Sequence, residues 1–177
     1  MTGEQYNRIA DRLRAHPAVI STIIIVNRFL TALGFAAYPG LILFICLRHI
    51  DEFSFRTAFK LFLLYIAGPA LAFVLLSLYR TKKNAPRPYE SGEIRPIIKK
   101  DTKGNSFPSR HIFSLSLIAA LWYPFFRPAG ILLLVSSLIL ALIRVAGGVH
   151  YIKDVAVGFL IGTGSGILIN LLAGLWL

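Results

Sequence analysis

The chain has 177 residues, 56% of them hydrophobic, and a formal charge of +11. That apolar share exceeds the usual share of a soluble domain, and the length suits one unit, residues 1–177, rather than two. The charge does not gather on one soluble face, as it does in nucleic-acid binders. It falls between apolar runs, which points away from nucleic acid and towards anionic headgroups or phosphate. The single cysteine, Cys46, excludes a disulfide framework within the chain.

In chain order, residues 1–17 are polar and suit a short amphipathic helix, with no cleavable signal sequence. Ala18–Ile50 is apolar but carries Asn27, Arg28 and the break Tyr38-Pro39-Gly40. It is long for one spanning helix, which needs about 20 residues, and short for two. A polar link, RHIDEFSFR, precedes a clear span over Thr57–Tyr79.

Residues 80–110 hold nine basic side chains and four prolines, which predicts an ordered loop at one membrane face. Apolar spans follow from Ile112 to Phe126, from Ala129 to Val145, and from near His150 to the C-terminus. The expected fold is therefore all-α, a polytopic transmembrane helix bundle. It has five clear spans, or six if Ala18–Ile50 folds back on itself. Gly158, Gly162 and Gly166 recur at four-residue spacing, the pattern of close helix packing.

Three polar clusters sit at span ends: Arg80 with Arg87-Pro88, Pro108-Ser109-Arg110-His111, and Arg144 with His150 and Asp154. The hairpin of the third and fourth spans returns Arg144–Asp154 to the level of His111, so all three clusters share one face. Four-residue spacing puts His150 and Asp154 on one side of a helix. A carboxylate bound to one imidazole nitrogen fixes the tautomer and frees the other nitrogen to attack. Arg80, Arg87 and Arg144 supply forked donors suited to phosphate oxygens. Ser109 adds a hydroxyl at a helix start, and His111 is placed to protonate a leaving oxygen. Taken singly, each residue reads as a cap or an interfacial anchor, as His16 and His49 do. Taken together, they read as a site.

These clusters resemble the signature of the type 2 phosphatidic acid phosphatase family, K-x6-R-P, P-S-G-H and S-R-x5-H-x3-D. The resemblance covers residues 57–177, with Arg80 for lysine, Arg110 for glycine and Ile143 for serine. It implies a membrane phosphatase that needs no metal or other cofactor. His150 would be the nucleophile that forms a phosphohistidine, Asp154 its orienting partner and His111 the acid. Arg80, Arg87, Ser109 and Arg144 would hold the phosphate, and Arg110 is a candidate substrate contact.

The expected substrate is a lipid phosphate in the bilayer: undecaprenyl pyrophosphate, phosphatidylglycerophosphate or a phosphatidic acid type. The sequence predicts no particular protein partner. The family setting is a bacterial cell membrane with the site outside the cytoplasm, although the basic loop votes for the cytoplasm. A lipid phosphotransferase using the same histidine, or a non-catalytic carrier of phosphorylated lipid, are the alternatives. Release of free phosphate separates the first reading from both.

Overall fold

A computed structural model describes residues 3–50 and 54–176; Asp51–Phe53 of the polar link lie outside it. The described residues are helical with connecting turns and loops, and no strand occurs among them. Helix α1 covers Gly3–Arg14, and α2 runs unbroken over Pro17–Arg48.

The break expected at Pro39 is absent, and with it the sixth span. Proline inside a membrane helix is tolerated when neighbouring helices supply the missing partners. Pro39 deprives Phe35 O of its helical donor, and two residues on Trp122 Nε1 donates to Ala37 O at 2.9 Å, tying α2 to the helix packed against that turn. The 32 residues of α2 form one long helix instead of a hairpin.

Ser54 caps the next helix by accepting from Thr57 N at 3.2 Å. Helix α3 (Phe55–Phe62) passes through a π-helical turn (Leu63–Ala67) into α4 (Gly68–Lys83), making one rod. The cause is Pro69, which has no N–H to offer the carbonyl four residues earlier. That carbonyl, Tyr65 O, instead accepts from the Tyr38 hydroxyl of α2 at 2.8 Å.

Helix α5 (Arg110–Trp122) is the central element, with nine of its residues buried from Ile112 to Leu121. At 1.5 Å per residue its 13 residues reach only about 20 Å, so it ends short of the expected Phe126. Helices α6 (Arg127–Ala146) and α7 (Ile152–Trp176) flank it.

The glycine stripe of α7 faces α5. A Cβ at Gly158 would lie 2.7 Å from Ser109 O, and one at Gly166 would lie 2.8 Å from Leu117 O. Gly162 meets Phe113 O and Ser116 Oγ in the same way. Glycine is what allows this approach. Around the core the outer faces carry Phe35, Leu71, Leu142, Leu160 and Leu171, all more than half exposed. Such an apolar belt fits a bilayer and not water.

Four helical stretches, α2, the α3–α4 rod, α6 and α7, are long and apolar enough to cross a bilayer, and the shorter α5 runs among them. They put α1, the loop after α4, and the α6–α7 turn on one face, and the C-terminus of α7 on the other. Helix α1 lies on that loop: Asn7 Nδ2 donates to Glu93 O at 2.6 Å, and Arg14 Nη2 to Arg95 O at 2.6 Å. Tyr6 and Ala10 bury their side chains with Ile97. Whichever side of the membrane holds the loop therefore also holds the N-terminal helix.

Candidate active site

The loop between α4 and α5 is held by its own polar groups. Asn84 ends α4 with φ 41°, and Ser106 N returns to Ala85 O at 2.9 Å. Glu90 Oε1 accepts from both Arg87 N (2.8 Å) and Gly104 N (2.7 Å), closing the loop on itself. Two further bonds tie it to the bundle: Ile98 N to Gly147 O (3.2 Å) and Ser109 N to Asp154 O (2.9 Å). The second fixes the start of α5 against the start of α7. The three polar clusters thus meet at one face, as the parity of the spans requires.

Arg80 stands on the last turn of α4 and is 4% exposed. Its guanidinium donates to Pro108 O and Asn105 O, so part of its fork holds the backbone of the loop. Arg87 does the same: Nε donates to Gly104 O (3.0 Å) and Nη1 to Val149 O (3.4 Å). Sequence reasoning expected both to hold phosphate; the contacts in the structure are to backbone carbonyls, which shape the loop.

Arg144, on the last turn of α6, is differently placed. Its Nη2 donates to Thr31 Oγ1 of α2 at 3.3 Å, while its buried Nε has no partner. Ser109 is fully buried at the start of α5, and its Oγ also lacks a partner. Buried donors left open are rare and expensive. Their company here is cationic.

His150 is 3% exposed and lies in the turn just before α7, not on the helix itself. Asp154 is fully buried in the first turn of α7. Its Oδ2 caps that helix by accepting from Tyr151 N at 3.1 Å. The same oxygen accepts from Ser106 Oγ at 2.5 Å and lies 3.5 Å from His150 Nδ1. Ser106 Oγ is 3.2 Å from that nitrogen, closer than the carboxylate is.

Burial is the main force on the His150 ring and pulls its pKa down to about 4. The Asp154 carboxylate beside the ring opposes this shift, and the charges of Arg87 and Arg144 add to it. The imidazole is therefore neutral at neutral pH, the form that can attack.

His111 sits in the first turn of α5, partly buried, within electrostatic reach of His150, Arg144, Lys100 and Arg110. Arg110 is exposed on the outer side of the same turn, its guanidinium carbon 5.9 Å from the centre of the Phe73 ring on α4. It faces the groove between α4 and α5 towards lipid, while its charge still reaches Arg80 and His111.

Four residues near the site went unmarked in the sequence. Ser106 was one hydroxyl among several in the loop, with no spacing to single it out. Lys100 is half-buried and feels Arg87, Arg144, Arg80 and Arg110; burial first, then these charges, lower its pKa to about 8. Thr31 holds Arg144 from a helix whose pattern was purely apolar. Tyr6 donates to Ala146 O at 3.0 Å and presses on Gly148, whose φ of 74° shapes the turn before His150. The polar N-terminal segment had shown only its amphipathic character.

The family profile described as PAP2 superfamily matches residues 57–175, more than half of the chain. Among solved structures, the crystal structure of Aquifex aeolicus LpxE is similar at 25% identity and a TM-score of 0.67, covering 94% of this chain and 93% of that one. The PAP2 type phosphatidylglycerolphosphate phosphatase from Bacillus subtilis shares the fold at 19% identity and a TM-score of 0.52, covering 96% and 92%. No curated protein matches the chain. With its apolar spans, its matched motifs and the profile over most of its helices, the chain belongs to the PAP2 superfamily as an integral-membrane phosphatase.

Proposed function

We propose that this phosphatase hydrolyses a lipid phosphate through a covalent phosphohistidine at His150, without a metal. The observation that carries the reading is a buried, neutral imidazole at the face that also holds two buried donors without partners, Ser109 Oγ and Arg144 Nε. A phosphoryl group supplies the missing acceptors. In the first step His150 Nε2 attacks phosphorus, the bond to the lipid oxygen breaks, and His111 gives that oxygen its proton. In the second step water gives a proton to His111 and attacks the phosphohistidine, releasing inorganic phosphate and the free imidazole.

The donor set supports this chemistry over a metal-assisted one. Arg80, Arg87, Arg144 and Lys100 gather about a single carboxylate among the described residues of the cluster, Asp154, whose Oδ2 is taken up by Ser106 Oγ and Tyr151 N. Divalent cations bind to gathered oxygens, and no group of three candidate ligands occurs among the described residues. The substrate keeps its tail in the bilayer and offers its head at the membrane face. Undecaprenyl pyrophosphate, phosphatidylglycerophosphate and phosphatidic acid types all satisfy this. The whole chain acts as one unit, because α1 braces the turn that carries His150.

Arg144→Ala tests the phosphate cradle. Loss of one such donor costs about 2.7–4 kcal/mol of transition-state stabilisation, or about 10²–10³ in kcat/KM. Inhibition by vanadate is expected to weaken in parallel, and Arg144→Lys to restore little, since a point donor does not replace a fork. An unchanged vanadate inhibition curve removes Arg144 from the cradle.

Lys100 gives the reading a pH signature. Its ammonium is present below pH 8 and is lost as pH rises through about 8. If it helps hold the phosphate, kcat/KM falls above that pH. Lys100→Arg keeps the charge and is expected to abolish that part of the alkaline fall. Identical alkaline limbs in the two proteins place Lys100 outside phosphate binding.

A further inference from the structure

We infer that Ser106 is the positioning residue of the nucleophile, bridging His150 and Asp154 as a hydroxyl relay. The proposal rests on the reading of His150 as the attacking group. Three facts of geometry carry it. Ser106 is fully buried, so its hydroxyl has no water to turn to. Its Oγ stands 2.5 Å from Asp154 Oδ2, close enough that the hydroxyl proton points at the carboxylate. The same Oγ stands 3.2 Å from His150 Nδ1, while the carboxylate is 3.5 Å from that nitrogen.

A hydroxyl has one proton to give and lone pairs to receive another. With its proton committed to Asp154, Ser106 Oγ can only accept from His150. Nδ1 must then carry the hydrogen, which leaves Nε2 with its lone pair free for phosphorus. The direction of the chain is fixed at its carboxylate end: Nδ1–H to Oγ, and Oγ–H to Oδ2. Asp154 orients the ring largely through the serine.

The backbone of Ser106 reinforces this role. Its N–H is bonded to Ala85 O, just past the end of α4, at 2.9 Å. Two residues on, Pro108 O receives the Arg80 guanidinium. The loop that carries the hydroxyl is thus pinned on both sides. Phosphate-holding arginines and the relay are built on the same stretch of backbone, so the hydroxyl cannot drift from the ring without moving the cradle.

The test is steady-state phosphate release from dioleoyl phosphatidic acid in mixed micelles by the full chain. Ser106→Ala is expected to lower kcat about 10–100-fold, the usual effect of removing a group that orients a working histidine. KM is expected to stay within about twofold, because the serine touches the nucleophile and not the phosphate. The relay also predicts non-additivity. Ser106→Ala combined with Asp154→Asn should be no more than about twofold slower than Asp154→Asn alone, since either change breaks the same chain.

A wild-type kcat in Ser106→Ala, or a double-variant loss equal to the product of the single losses, overturns the relay. If Ser106→Ala does not yield folded protein, Ser106→Cys serves. Its thiol is a weak donor, so a reduced kcat at unchanged KM is expected and a wild-type kcat refutes the proposal. His150→Ala run beside them separates the two levels. Retained activity there defeats the nucleophile itself, whereas an inactive His150→Ala with an unaffected Ser106→Ala defeats only the relay.

Discussion

His150→Ala is expected to reduce phosphate release by about 10⁴-fold or more, the scale set by removal of a covalent nucleophile. The protein should stay folded, because the ring occupies a turn before α7 and the contacts that fix that turn are made by others. Gly148 N bonds to Val145 O at 3.0 Å, and Val149 N to Arg144 O at 3.0 Å. Tyr6 braces Ala146, and Asp154 caps α7 through Tyr151 N. Vanadate binding should survive in part, since Arg144, Ser109 and Lys100 remain. The variant therefore separates holding the phosphate from attacking it. Activity within tenfold of wild type, with substrate saturation intact, would remove His150 from the covalent role.

The second large effect concerns packing. Gly162→Ala is expected to destabilise the protein by about 3 kcal/mol, the upper end of the cost of overpacking. For a chain of this size that lowers the melting temperature by about 6–12 °C. The added methyl would overlap Phe113 O and Ser116 Oγ, and the first of these is backbone in the first turn of the central helix. Helix α5 cannot yield easily, since nearly its whole surface is buried. Nor can α7 retreat freely, because Ser109 N holds Asp154 O at the site end. Gly164→Ala is the control: its Cβ would meet nothing within 4 Å, so little change in melting is expected. Equal melting temperatures for the two variants would mean that the stripe does not bear on α5 as described. Activity should fall with Gly158→Ala as well, because the atom it meets is Ser109 O, at the cradle.

The span pattern and the site's three clusters were legible in the sequence for a physical reason. Apolar runs of bilayer length announce helices, and their parity decides which ends meet. Arg80, Arg87, Ser109, His111, Arg144, His150 and Asp154 each sit at a span end, so counting crossings was enough to bring them to one face. The glycine stripe was legible because four-residue spacing has one geometric meaning on a helix. Pro39 misled because its local rule, that proline breaks helices, is overridden where a long apolar helix is packed against its neighbours, as Trp122 packs α2 through Ala37 O. Nothing near Pro39 in the chain announces Trp122, 83 residues later.

The backbone contacts of Arg80 and Arg87 were hidden for the same reason. A guanidinium has five donors, and sequence spacing says nothing of how they divide between backbone and ligand. Arg110 shows the limit from the other side. The departure from glycine was visible, but its direction was not: the side chain turns to Phe73 at the lipid-facing groove. Ser106 was the least legible of all. A hydroxyl in a polar loop becomes a candidate only when the loop closes by Ala85 and Gly104 and carries it to both the ring and the carboxylate.

The proposed mechanism requires a bond between phosphorus and one nitrogen. Rapid alkaline quenching during turnover, followed by mass spectrometry of the peptides, measures that bond directly. One phosphoryl group is expected on His150, stable to base and lost in acid, and absent from His150→Ala. A phosphoryl group on another side chain, or none on His150 while phosphate is being released, would contradict it.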